Sequence, residues 1–121
     1  MFALMQSAHV ESLHLSIDPV TGLKAVIAIH SSRLGPALGG CRYLAYPNDE
    51  SAVSDAVRLA QDMSYKAALA GLAVGGAKAV IMRAPHVESR SALFEAFGRC
   101  VEQLDGRYIT AIDSGTSTAD M

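Results

Sequence analysis

Over residues 9–18, Val10, Ser12, His14 and Ser16 fall on one side of an extended chain, and Leu13, Leu15 and Ile17 fall on the other. This period of two predicts a strand. Asp18-Pro19-Val20-Thr21-Gly22 follows. It is turn chemistry, because proline presets φ and glycine permits a positive φ. Residues 23–30 (LKAVIAIH) are apolar almost throughout, which predicts a strand covered on both faces and a hairpin over 10–30. The period then lengthens. Ala52, Val53, Ala56, Leu59, Ala60, Met63 and Ala67 step by three or four and predict the buried stripe of a helix over 49–70. Asn48 can cap it, Asp49 and Glu50 oppose its dipole, and Gly71 stops it. Residues 78–83 (KAVIMR) read as a short strand. Residues 88–104 read as a helix with Ala92, Leu93, Ala96, Phe97, Cys100, Val101 and Leu104 inward, and 107–112 (RYITAI) as a further strand. A short strand over 41–46, glycine loops over 31–40 and 72–76, and a third helix beginning at Thr116 or Ser117 complete the pattern. Strands alternating with helices on short connections predict an α/β fold. Its sheet is expected to be mostly parallel, with an N-terminal β-hairpin and flanking helices.

Composition narrows the class. The 121 residues are half apolar with 18% charged, which excludes disorder and suits one domain. The formal net charge of −2 gives no electrostatic footprint for nucleic acid or an anionic membrane. The uncharged run over 67–77 is about half the ~20 residues that a membrane span needs. The N-terminus also lacks the basic start of a signal peptide, so a cytoplasmic protein is expected. Cys41 and Cys100 form no CxxC pair, and four scattered histidines offer no metal-ligand spacing, so reduced thiols and no metal site are expected.

The candidate chemistry lies in three places. Lys78 begins an apolar strand directly after Gly-Gly-Ala, and a buried ammonium needs a partner or a lowered pKa. Lys66 lies near the end of a helix whose other side is core, and Asp113 sits at a strand's carboxyl end, where parallel sheets collect ligands. The Gly39-Gly40 and Gly75-Gly76 pairs are placed with them. The segment GLAVGGAK (71–78) only approaches a phosphate loop: Ala77 stands where the lysine belongs and Lys78 where the hydroxyl belongs. No GxGxxG occurs, so no dinucleotide-binding half is recognisable.

The segments GPALGGCR (35–42), DMSYKAALAGLAVGGAKAVI (62–81) and GRYITAIDSGTSTADM (106–121), in this order and separation, resemble one family. It is the N-terminal substrate and dimerisation domain of the glutamate/leucine/phenylalanine/valine dehydrogenases, with the strongest likeness to leucine dehydrogenases. The resemblance covers essentially the whole chain. It implies reversible, NAD-dependent oxidative deamination of L-amino acids to 2-oxo acids and ammonia. It also implies a homo-oligomer, and NAD bound mainly by a second domain outside residues 1–121. Lys78 matches the lysine that activates the water attacking the imino acid, and Asp113 the aspartate that exchanges protons with the substrate nitrogen. Lys66 matches the lysine that pairs with the α-carboxylate, and Gly39 and Gly40 match the loop that lets the backbone approach the substrate. Leu38, Met63 and Ala111 match positions lining the side-chain pocket. Glutamate-specific members carry a lysine where this chain has Leu38, so glutamate is expected to be rejected and a branched-chain aliphatic substrate preferred. The apolar lining does not separate leucine from valine or phenylalanine, because a methylene is worth only about 1–3 kcal/mol in such pockets. Ile112 and Ser114 depart from the family pattern, which has an acid and a valine there, and they flank Asp113 without replacing it. The 121-residue chain alone is expected to be inactive as a dehydrogenase, with self-assembly or 2-oxo acid binding as the alternative role.

Overall fold

The computed structural model describes every residue except Leu34, Ala73 and Met121. The first two fall within the loops expected over 31–40 and 72–76 and lie outside the described residues. The elements are α1 (Phe2–Ala8), β1 (Ser12–Asp18), β2 (Leu23–Ile29), β3 (Ala37–Leu44), α2 (Asp49–Leu69), β4 (Gly75–Met82), α3 (Arg90–Glu102) and β5 (Tyr108–Ile112). The five strands form one sheet in the order β1-β2-β4-β3-β5. β4, β3 and β5 run parallel. The β1–β2 hairpin joins them antiparallel, through β2 on β4.

The hairpin turn forms as its residues dictate. Asp18 accepts hydrogen bonds from the Val20 N–H and the Thr21 hydroxyl, and Gly22 takes φ 80°. The α2 start also follows the sequence: the Asn48 side chain accepts from the Ser51 N–H at 2.8 Å. At its end Gly71 adopts φ 72°, a left-handed geometry that costs glycine little. Ser89 caps α3 by accepting from the Ala92 N–H.

The connection β3–α2–β4 steps to the neighbouring strand, whereas β4–α3–β5 steps back past β3. Right-handed crossovers in opposite directions put their helices on opposite faces. The two cores show this. Ala25, Ile27, Ile29, Cys41, Tyr43, Ala79 and Ile81 pack with Leu93, Phe94 and Phe97 of α3. Val26, Ala28 and Val80 pack with Ala52, Val53, Ala56, Val57 and Ala60 of α2. Leu23, Ile27, Ile29, Ile81 and Leu93 are fully buried, and each such side chain stabilises the fold by roughly 1.5–3 kcal/mol. β2 feeds both cores, as its uninterrupted apolar run requires.

Four expectations change. Residues 2–8 form a helix, α1, whose Leu4, Met5 and Ala8 pack on the α2 core, so β1 starts at Ser12 rather than His9. Val57 and Phe94 are buried beside the predicted stripes, whereas Leu59, Met63, Ala92, Cys100 and Val101 are only partly buried. After Asp113 the described residues form no full helix, but Ser117 does begin a turn: its N–H donates to Asp120 Oδ2 at 2.9 Å and its carbonyl accepts from the Asp120 N–H at 3.0 Å. Before it, the Asp113 N–H donates to the Thr116 hydroxyl at 2.8 Å, and that hydroxyl also donates to the Cys41 carbonyl, closing a tighter turn. Finally, the glycine pairs lie in strands rather than loops. Gly39 and Gly40 are in β3, and Gly75 and Gly76 open β4 at its amino end. The strands need them there because a Cβ on Gly39 would sit 1.6 Å from the Ala77 carbonyl oxygen, and one on Gly76 would sit 2.1 Å from the Ser64 nitrogen of α2.

Candidate functional site

Side chains alternate across a strand, so one sheet face carries Gly76 and Lys78 of β4, Leu38, Gly40 and Arg42 of β3, and Ile109, Ala111 and Asp113 along β5. α2 covers the β2–β4 half of this face. Over the β3–β5 half, Ile109 is 47% exposed and Leu38 and Ala111 are partly buried. Where the covered and open halves meet, Lys78 forms an ion pair with Asp113. The Lys78 side chain is 7% exposed and that of Asp113 is 21% exposed. Asp113 directly follows the last residue of β5, at the strand's carboxyl end as expected. β5 is short and ends level with the middle of β3 and β4, so this end lies against the face of the sheet.

A glycine is required between the paired groups. A Cβ on Gly40 would lie 2.7 Å from the Ile112 carbonyl oxygen, 2.9 Å from Asp113 Cβ and 3.3 Å from Lys78 Nζ. Gly39 faces the other side, and its carbonyl accepts from the buried Tyr108 hydroxyl at 2.9 Å. Met63 is partly buried on α2, its backbone close against Gly76. Lys66 lies in the exposed last turn of α2 and has no ion-pair partner among the described residues. The structure therefore brings Lys78, Asp113, Gly40, Leu38 and Ala111 to one face. Met63 borders that face from α2, Lys66 is exposed in the last turn of the same helix, and Gly39 serves strand packing.

Asp113 has a second cation that sequence reasoning missed. Arg42 Nε donates to its Oδ2 at 3.2 Å, and Arg42 Nη1 donates to Asp55 of α2 at 3.3 Å. Asp55 also accepts from the Tyr46 hydroxyl and from Arg58 at 2.9 Å. The signal was available, because Arg42 is a charge in an otherwise apolar strand, just as Lys78 is. Burial alone would raise the Asp113 carboxyl, but hydrogen bonds from Lys78, the Ser114 N–H and Arg42 outweigh it and hold the carboxyl below its usual range. Burial pushes the neighbouring Cys41 thiol up to about 12, so it stays a thiol. Cys41 and Cys100 are both free. A cation beside an ionised carboxylate, on an apolar floor, can hold a polar ligand and move protons.

A dinucleotide does not fit these residues. The glycines that would have to form a cradle are filled from behind, Gly75 by the Ser31 carbonyl and Gly76 by α2. An apolar groove of about 350 Å³ lies at the opposite sheet edge, lined by Leu15, Ile17, Val53 and Met82, and it holds neither Lys78 nor Asp113. Among the described residues no group of three His, Cys, Asp or Glu is placed to hold a metal, and no helix is long and apolar enough to cross a membrane.

The chain is 50% identical over all its 121 residues to a leucine dehydrogenase of Bacillus subtilis and 52% identical to a valine dehydrogenase of Streptomyces albus. It spans 33% of the length of each. The crystal structure of an L-tryptophan dehydrogenase from Nostoc punctiforme superposes on 99% of the chain with a TM-score of 0.93 at 40% identity, and the chain covers 36% of that protein. The family model for the Glu/Leu/Phe/Val dehydrogenase dimerisation domain matches residues 8–121. With that match over nearly its whole length, the chain belongs to the Glu/Leu/Phe/Val dehydrogenase family and carries its dimerisation domain.

Proposed function

We propose that residues 1–121 are the substrate-binding and subunit-contact domain of an NAD-dependent L-amino-acid dehydrogenase acting on branched-chain substrates. The observation that carries this reading is the pairing of the buried Lys78 with the partly exposed Asp113 at the edge of an open apolar half-face. Hydride acceptance belongs to a nicotinamide cofactor held mainly by a domain outside these residues; Gly75 and Gly76, filled from behind, offer it no cradle.

The chain's own residues then divide the remaining work. Lys66, unpaired by any acid among the described residues, takes the substrate α-carboxylate. Lys78, once its ammonium has given up a proton to solvent, is the neutral amine that takes a proton from the water attacking the imino carbon. Asp113 lies on the same face and exchanges protons with the substrate nitrogen. Its partnership with Asp113 offsets the cost of burying the Lys78 ammonium. Gly40 leaves the space a side chain would take from Lys78 and Asp113, and Gly39 keeps β3 close to β4. Leu38, Met63 and Ala111 supply one apolar wall of the side-chain pocket, which cannot compensate a buried carboxylate. The other wall comes from the second domain, so the 121-residue chain alone is inactive as a dehydrogenase. Self-association suits the free β1 edge, where Leu15 and Ile17 are exposed.

The test uses the protein expressed from the complete coding frame that contains these residues. NAD reduction is followed with L-leucine, L-valine, L-phenylalanine and L-glutamate. Turnover of the aliphatic amino acids with no response to L-glutamate is expected. Absence of any amino-acid-dependent NAD reduction would overturn the reading.

A further inference from the structure

The Asp113 carboxylate is held from two strands. Lys78 reaches it from β4, and Arg42 Nε donates to the same Oδ2 from β3 at 3.2 Å. The other end of the Arg42 guanidinium is tied to Asp55 of α2 at 3.3 Å, and Asp55 in turn receives the Tyr46 hydroxyl and Arg58. A single planar fork thus spans two carboxylates on separate elements. A lysine, a point charge on a flexible stem, cannot serve both at once. Arg42 and Asp113 are each 21% exposed and Asp55 is 13% exposed, so the bridge is partly shielded from water and from salt.

We propose that Arg42, anchored by Asp55, is a positioning residue that fixes the Asp113 carboxylate toward Lys78 and stabilises its ionised form. This rests on the reading of Asp113 as the group that exchanges protons with the substrate nitrogen. Arg42 acts through Asp113 and sets how readily that carboxylate accepts a proton. The groups that contact Asp113 are Lys78 from β4, Arg42 from β3, and Thr116 and the Ser114 N–H from the turn behind it, while Cys41 and Tyr108, packed on the other face of the sheet, feel its charge through space. Cys41 and Tyr108 stay protonated across the neutral range because burial raises both. Lys78 and Arg42 are therefore the two cations that hold the carboxylate.

The experiment follows the Asp113 side-chain carboxyl carbon by NMR during an acid titration of the 121-residue chain, with Asp113→Asn to assign the signal. Amide spectra check that each variant remains folded. Arg42→Gln is expected to move the Asp113 midpoint upward, and Arg42→Lys, which keeps the charge without the fork, to move it part of the way. If Arg42→Gln does not fold, the Arg42→Lys midpoint alone decides between an upward shift and none. An unmoved midpoint in a folded Arg42 variant overturns the proposal. The titration does not depend on turnover. A shifted midpoint in a protein that deaminates no amino acid would sink the functional reading and leave the positioning role standing.

Discussion

Replacing Gly40 by alanine places a methyl group beneath the proposed acid–base pair. The new Cβ lies 2.7 Å from the Ile112 carbonyl oxygen and 2.9 Å from Asp113 Cβ, whereas its third neighbour, Lys78 Nζ at 3.3 Å, is the tip of a flexible side chain. The first two contacts are closer than van der Waals distance, so β5 must recede by roughly half an ångström or the β3 backbone must twist. β5 is an edge strand bonded only to β3, so it can yield. The cost should therefore fall in the range of about 1–3 kcal/mol usual for overpacking, short of complete loss of the fold. With a urea dependence of about 1–3 kcal/mol per molar, the unfolding midpoint drops by roughly 1 M. Gly98→Ala is the matched comparison. It lies within α3 with nothing within 4 Å of the added Cβ, and it should raise stability by about 0.5–1 kcal/mol. Urea unfolding followed by far-ultraviolet circular dichroism reads both. A Gly40→Ala midpoint equal to that of the wild type would refute the close approach of β5 to β3 at Asp113.

Two further outcomes follow from the same geometry. The folded-state pKa of Asp113 lies below its ordinary 3.8. Its pairing therefore contributes stability that is fully present above the unfolded value and is lost as pH falls through the folded one. The stability difference between wild type and Asp113→Asn, from urea unfolding at a series of pH values, should be constant above about pH 5 and shrink below pH 4; a difference that grew on acidification would contradict the pairing. Asn48→Ala removes the acceptor of the Ser51 N–H at the start of α2 and should cost about 1 kcal/mol. Thermal melts check this, and an unchanged melt would show that the cap carries no weight.

Periodicity made the frame legible. The alternation in β1, the apolar run of β2 and the three-and-four spacing of α2 each follow from which faces must be buried. Lys78 stood out because a charge in an apolar strand demands a partner, and that partner is Asp113. The glycine pairs were misplaced for a physical reason. Local chemistry ties glycine to turns, whereas Gly39 and Gly76 answer a tertiary demand for backbone passing within the space of a Cβ. α1 escaped notice because seven residues make barely two turns, and their packing on α2 is visible only once α2 is in place. Arg42 and Asp55 are 13 residues apart on a strand and a helix, so their bridge exists only after β3 and α2 pack. The position of Asp113 on the sheet face follows from the shortness of β5, which no local pattern announces.

The most direct test of the central claim is the turnover of Lys78→Ala in the protein expressed from its complete coding frame, with the fold checked by amide spectra. A positioned acid–base group contributes about 10²–10⁴-fold, so kcat for L-leucine should fall by roughly that factor while the protein stays folded. A folded Lys78→Ala protein that keeps kcat within a few-fold of wild type would contradict the account.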